Sequence, residues 1–286
     1  MRVIQVGTFP GSIFGALQLG IDQGFFADHG LELEMTSMAG GAAQIPALTT
    51  GSLDIGIGNP VSVLTAVAQG LDLKIISNFA YDGPEKADTQ VIVSYPDSGI
   101  KSALDLEGKT VATNSLGGSG EAAIREDVEQ QGGDPSLVTF VELPFPDMAA
   151  QLEAGAIDAA AMVQPFMMPV LEAGAEVSVE FQKDIGIGQI SVLTFTTAEY
   201  AAAHPDVIAD FRAALSEALT YAEAHQKDAH ATLIDLLGMD PAVAQALPDE
   251  GYSAELSRDA LETWAALALK YGLIAKTVDI DAIILD

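Results

Sequence analysis

The chemistry this chain offers sits in uncharged loops. Asn114-Ser115-Leu116-Gly117-Gly118-Ser119-Gly120 lies between an apolar run suited to a strand and a run suited to a helix. Small residues let a ligand approach the backbone, and free N–H groups at a helix start favour an anionic oxygen. Four other segments share this character: Thr8-Phe9-Pro10-Gly11-Ser12, Ala39-Gly40-Gly41-Ala42-Ala43, Asn59-Pro60 and Gln164-Pro165-Phe166. Each alone is equally compatible with a plain connection. Two Gly-rich loops facing each other, Gly40-Gly41 against residues 115–120, make a ligand-binding reading the stronger one. Contact is therefore expected from Phe9, Pro10, Gly11, Ser12, Gly40, Gly41, Asn59, Asn114, Ser115, Gly117, Gly118, Ser119, Gln164, Pro165 and Phe166. Phe166 is the ring expected to pack on the ligand, and Trp264 is expected in the core.

Other chemistries lack their residues. No Gly-Lys-Ser/Thr follows the Gly-rich loops, and Gly7-x-x-x-Gly11 has the wrong spacing for a dinucleotide fingerprint. The chain has no Cys, which removes disulfides, thiolate nucleophiles and zinc–thiolate sites together. His225 and His230 are five apart, off the i, i+4 face that would let them share a metal. They and the remaining histidines, His29 and His204, are expected in solvent. No catalytic residue, metal or cofactor is expected.

The elements that must position these loops come in two similar sets. Gly51-Ser52-Leu53-Asp54 leads to Asn59-Pro60 and ends at Gly70; Gly155-Ala156-Ile157-Asp158 leads to Gln164-Pro165 and ends at Gly174. Upstream, residues 3–7 pair with 110–113 and residues 31–35 with 137–142. Each set alternates strands and helices, the pattern of an α/β fold with mostly parallel sheets flanked by helices. Two lobes with a crevice between them are expected: residues 1–94 with 192–286, and residues 95–191. Runs 90–95 and 189–196 are read as two crossing strands that form a hinge. The Asp82-Gly83-Pro84 segment signals a turn before the first crossing. Helices from Pro205 and after Ser253 are expected to pack back on the first lobe.

Composition narrows the partners. Twelve Lys and Arg against 41 Asp and Glu give a net charge of −29, spread along the 286 residues. Such a field repels phosphate backbones and anionic lipid, so nucleic-acid and membrane-surface binding are disfavoured. Mean hydropathy is +0.29, yet no apolar run approaches the roughly 20 residues of a spanning helix. Direct membrane insertion is not expected. Met1-Arg2-Val3-Ile4 begins on a strand without an export signal, which fits either a cytoplasmic protein or one whose signal has been removed.

Several stretches in this order resemble one family. They are Gly24-Phe25-Phe26-x-x-x-Gly30-Leu31-x-Leu33-Glu34, Gly40-Gly41 with Gly51-x-x-Asp54-Ile55-Gly56, and Ser98-Gly99-Ile100 through Asp105-Leu106-x-Gly108-Lys109-x-Val111-Ala112. Gly155-x-Ile157-Asp158-Ala159 completes the set. The resemblance is to substrate-binding proteins of nitrate/sulfonate/taurine-type ABC importers, a group that includes pyrimidine-precursor binders. It implies a type 2 periplasmic-binding-protein fold that closes on a small-molecule ligand, ABC permease subunits as partners, and a monomer. It implies a periplasmic or extracellular membrane-anchored location. A small organic anion, sulfonate, taurine-like or carboxylate, is favoured. One departure is Val163-Gln164, where the family often has an aromatic and Glu, and the Arg nearest a crevice loop is Arg125, a turn into its helix. A neutral heteroaromatic solute such as a pyrimidine precursor is therefore an alternative, as is an enzyme of pyrimidine-precursor or menaquinone type on the same scaffold. The pyrimidine-synthase relatives resemble a Cys-rich active loop that this chain cannot supply.

Overall fold

The computed structural model describes residues 1–83 and 85–285; Pro84, the end of the expected turn, lies outside them. The strands are β1 (Arg2–Thr8), β2 (Leu31–Ser37), β3 (Ile55–Gly58), β4 (Leu73–Tyr81), β5 (Val91–Ser94), β6 (Thr110–Thr113), β7 (Thr139–Glu142), β8 (Ala159–Met162), β9 (Glu176–Val179), β10 (Val192–Thr197) and β11 (Gly251–Tyr252). They form a six-stranded sheet in the order β11-β4-β10-β3-β1-β2 and a five-stranded sheet in the order β7-β6-β8-β5-β9. In each sheet most strands run parallel. The short edge strand β11 is antiparallel, and in each sheet an antiparallel strand, β10 or β5, is inserted among the others. That strand is the first to enter its sheet after the chain crosses from the other.

The two sets match at atomic detail. In the first, the Asp54 carboxylate accepts from Gln5 N–H at 2.8 Å while Asp54 N–H donates to Gln5 C=O at 2.9 Å. In the second, Asp158 and Thr110 make the same two bonds at the same distances. Each Asp thus clamps the start of a neighbouring parallel strand, and this fixes register. Gly51 and Gly155 precede the clamps with φ of 73° and 66°, a left-handed conformation that glycine adopts without steric cost.

Val91–Ser94 was expected at the edge of the first lobe as part of a crossing; it is instead a buried strand inside the five-stranded sheet, paired with β8 and β9. Val192–Thr197 is likewise a buried strand of the six-stranded sheet. The passages between sheets are the shorter links 82–90 and 180–191. β5 and β10 carry no charge because they are buried within their sheets, covered on both faces.

Helix Pro205–Ala224 packs on the six-stranded half, its Phe211 ring 6.0 Å from Phe26. Helix Arg258–Lys270 differs from expectation. Its buried Trp264, Leu261 and Leu267 join one apolar core with Val61 and Leu64 from the first half and Ala122 and Val128 from the second. Trp264 Nε1–H donates to Ile190 C=O at 2.9 Å, and Lys270 Nζ lies 2.6 Å from the Glu126 carboxylate. This helix therefore braces both halves and the return link. His230, expected in solvent, is 1% exposed because it falls on the inner face of helix Gln226–Leu237, and burial lowers its pKa. Among the described residues no helix is long and apolar enough to cross a membrane.

Candidate functional site

The sheets face each other across a cleft into which loops project from the carboxyl ends of parallel strands, where ligands sit in open α/β sheets. Helix Pro60–Ala68 starts at Asn59, whose Oδ1 accepts from Ser62 N–H at 2.9 Å, with Pro60 at the first position. The same Oδ1 accepts from the N–H and the Oγ–H of Ser119, both at 3.2 Å. Ser119 Oγ in turn accepts from Val61 N–H at 3.3 Å. Two helix starts, one from each half, are thus joined.

Three more contacts cross the cleft. Ser12 N–H donates to Gln164 C=O at 2.9 Å, and Asn114 Nδ2–H donates to Ala39 C=O at 3.2 Å. The rings of Phe9 and Phe145 lie 6.3 Å apart. A cavity remains between these contacts, with about 660 Å³ of empty space when its open mouth is included. Of the expected residues, Phe9, Gly11, Ser12, Gly41, Asn59, Asn114, Ser115, Gly118 and Ser119 line it.

Pro10, Gly40, Gly117, Gln164, Pro165 and Phe166 do not line it. Gly40 is pressed against Asn114, whose Nδ2 would lie 2.7 Å from any Cβ there. Gln164 supplies its carbonyl to the rim, ahead of a cis bond to Pro165. Phe166 stacks behind Phe145 at 6.4 Å, so Phe145 is the ring that meets the cavity. Arg125 is away from the lining: it pairs with Glu121 at 2.7 Å and covers the Phe140 ring.

Sequence reasoning missed Thr89 and Gln90 on one link, Gln182 and Ser191 on the other, and Val192. Gln182 follows the carboxyl end of β9, a strand the sequence reading did not place, and looking beyond carboxyl ends could not find the others, since they precede or open β5 and β10. Those strands run antiparallel, so their amino ends reach the same side as their neighbours' carboxyl ends. Uncharged polar residues next to each crossing were the available signal.

Every lining side chain is uncharged. The Gly-rich loop is also less open than expected. Leu116 N–H donates to Glu142 at 2.9 Å, Gly117 N–H to Glu121 at 2.8 Å, and Gly118 N–H to Ser115 C=O at 3.3 Å. The chain's own carboxylates fill that outer turn, leaving the helix starts at Gly41 and Gly120 to face the cavity.

Two buried carboxyl groups lie one bond behind the lining. Glu250 accepts from Ser12 Oγ–H and, at 2.6 Å, from Tyr252 O–H; burial pushes it up to about 6 against those hydrogen bonds. Asp82 accepts from Thr89 N–H at 2.6 Å and is pushed up to about 8, again by burial. Among the described residues no group of three His, Asp or Glu side chains is arranged to hold a metal ion.

Two α/β sheets of this topology, with helix starts meeting at a cavity between them, define the periplasmic-binding-protein fold. Residues 14–229 match the family model described as NMT1/THI5 like, and the chain belongs to that family. Its structure is similar to the alkanesulfonate-binding protein SsuA from Xanthomonas axonopodis pv. citri bound to MOPS. The TM-score is 0.83 at 20% identity, covering 100% of this chain and 98% of that one. It is also similar to the periplasmic nitrate-binding protein NrtA from Synechocystis PCC 6803, with TM-score 0.81, 13% identity and coverage of 99% and 86%. The desulfurization enzyme DSZB shares the fold at TM-score 0.67 and 16% identity, covering 99% and 96%. No curated protein matches the chain by sequence.

Proposed function

We propose that this chain is the solute-binding component of an ABC importer, acting outside the cytoplasm, in the periplasm or anchored at the outer membrane face. It binds a small organic solute between its two halves and presents it to permease subunits without changing it chemically. The observation that carries this reading is the uncharged cavity between two sheets, bridged at its rim by Asn59–Ser119 and Ser12–Gln164. Its lining has amides, hydroxyls and rings and carries no charged side chain.

The halves act as lobes that close on the ligand, with residues 82–90 and 180–191 as the hinge. Relative to the expected division, Val91–Ser94 moves with the second lobe. The favoured solute has an anionic oxygen at the helix starts of Gly41 and Gly120 and an organic body against Phe9 and Phe145. A neutral heteroaromatic solute is the second reading. The absence of any lining cation and the engaged N–H groups of Leu116 to Ser119 favour it.

A thermal-shift screen over sulfonates, carboxylates, nitrate and pyrimidines tests both, followed by calorimetry for stoichiometry. A ligand at a hundredfold excess over its Kd stabilises by about 2.7 kcal/mol, readily seen as a melting shift. One-to-one binding with unchanged solute is expected. Turnover of any solute would overturn the transport reading, and shifts from neutral heterocycles alone would overturn the anion.

A further inference from the structure

Glu250 is 5% exposed, no Lys or Arg among the described residues pairs with it, and it touches the cavity only through Ser12. It is held from behind: Gln226 accepts from its N–H at 3.1 Å and donates to its C=O at 2.7 Å. Its two carboxylate oxygens are taken by Ser12 and Tyr252. A serine hydroxyl has one proton, and here it goes to the carboxylate. Ser12 N–H is also committed, to Gln164 C=O. What Ser12 can turn toward the cavity is therefore its lone pairs, polarised by the negative charge behind them.

A second acceptor stands on the same cavity. Gln182 is 5% exposed and rests Nε2–H against Thr89 Oγ1 at 3.4 Å. Its Oε1 is buried with no donor among the described residues. A buried acceptor left without a donor costs free energy that a ligand donor would recover. The Gly41 and Gly120 helix starts, by contrast, offer N–H groups.

We propose that the cavity has two poles, so that its solute carries an N–H or O–H donor, best an ammonium, held by Ser12 Oγ and Gln182 Oε1. Glu250 is the positioning residue that keeps Ser12 an acceptor, and an acceptor group of the solute lies at the helix starts. This assignment rests on the solute-binding reading above and narrows it to amino- or hydroxyl-bearing solutes. The charged groups around Glu250 are Glu223, which accepts from Tyr252 N–H at 2.9 Å and pairs with Lys86 at 2.6 Å, and the adjacent Asp249.

Calorimetry with pairs differing only in the donor tests it: taurine and isethionate against ethanesulfonate, β-alanine against propionate, 4-aminopyrimidine against pyrimidine. The donor-bearing member should bind at least about tenfold more tightly at about pH 7.5. Glu250→Gln retains an acceptor for Tyr252 and turns an amide N–H toward Ser12. Its circular dichroism should match the parent's while the preference collapses to within about twofold. Titrating the parent at about pH 5, where Glu250 takes up a proton and can donate to Ser12, should do the same. Equal affinities within every pair, or a preference that survives both Glu250→Gln and low pH, would overturn the assignment. Binding only of donor-free solutes in the wider screen would also overturn it. Silence of every solute would instead remove the binding function on which it rests.

Discussion

Asn59 Oδ1 and Ser119 meet across the cleft at 3.2 Å, the amide oxygen accepting from both the N–H and the hydroxyl of Ser119. The same oxygen caps its own helix through Ser62 N–H. One side chain thus ends a loop, starts a helix and fastens the other half of the molecule. Local stability and closure share an atom here, so substitutions at the two residues separate their roles.

Ser119→Ala removes one hydroxyl from this junction and nothing from the Asn59 cap. It should leave the melting point close to the parent's and weaken solute binding about fivefold, the equivalent of about 1 kcal/mol. Asn59→Ala should weaken binding further and lower stability by about 1 kcal/mol through the lost cap. Calorimetry and denaturant melts measure the two effects. Parental affinity in Ser119→Ala would mean that the junction does not form when solute binds.

Gly118 has φ −93° and ψ −177°, a conformation open to any residue, so a side chain there meets neighbours and not backbone strain. A Cβ would lie 3.1 Å from Ser115 C=O and 3.4 Å from Asn59 Nδ2. Gly118→Val puts its branches into the cavity wall. Binding should fall by about tenfold or more with the fold intact. A variant with parental affinity and melting point would place the solute elsewhere.

Small-angle scattering checks closure. If the links 82–90 and 180–191 bend, a solute shown to bind should reduce the radius of gyration with no change in circular dichroism. An unchanged radius would mean the halves do not move.

Burial raises several carboxyl groups: Asp82 to about 8, and Asp88, Asp127 and Glu250 each to about 6. The folded protein holds protons there that the unfolded chain releases. That stability is fully present below the unfolded carboxylate values and is lost as pH rises through 6 and then 8. Asp105 and Asp206, lowered by hydrogen bonds to Lys101 and Arg2, act oppositely at more acidic pH. The melting temperature should therefore peak in the acidic range near the unfolded carboxylate values, about pH 4, and decline toward about pH 8.5. Asp82→Asn should flatten the upper part of that decline. A melting temperature that rises with pH over this range would contradict these assignments.

Local pattern carried much of this protein. The Gly-x-x-Asp signatures at Asp54 and Asp158 act on backbone within one parallel unit, so their repetition was legible as two similar halves before any fold was known. The loops at Ser12, Gly41, Asn59 and residues 114–119 were legible for the same reason, because each follows its own strand and opens its own helix. Tertiary structure alone decided the rest. Ser12 and Glu250 stand 238 residues apart, and nothing near either residue announces the bond between them. Thr89 and Ser191 reach the cavity only because β5 and β10 enter their sheets antiparallel, and Gln182 because it follows the carboxyl end of β9. Phe166 lost the cavity to Phe145 through the stacking of two rings from different loops. Helix Arg258–Lys270 shows the same limit: its apolar stripe fixed that it would be buried, while the meeting of two halves fixed against what. Periodicity records how a chain relates to its own backbone a few residues away; which distant surface fills the other side is set when the whole core closes.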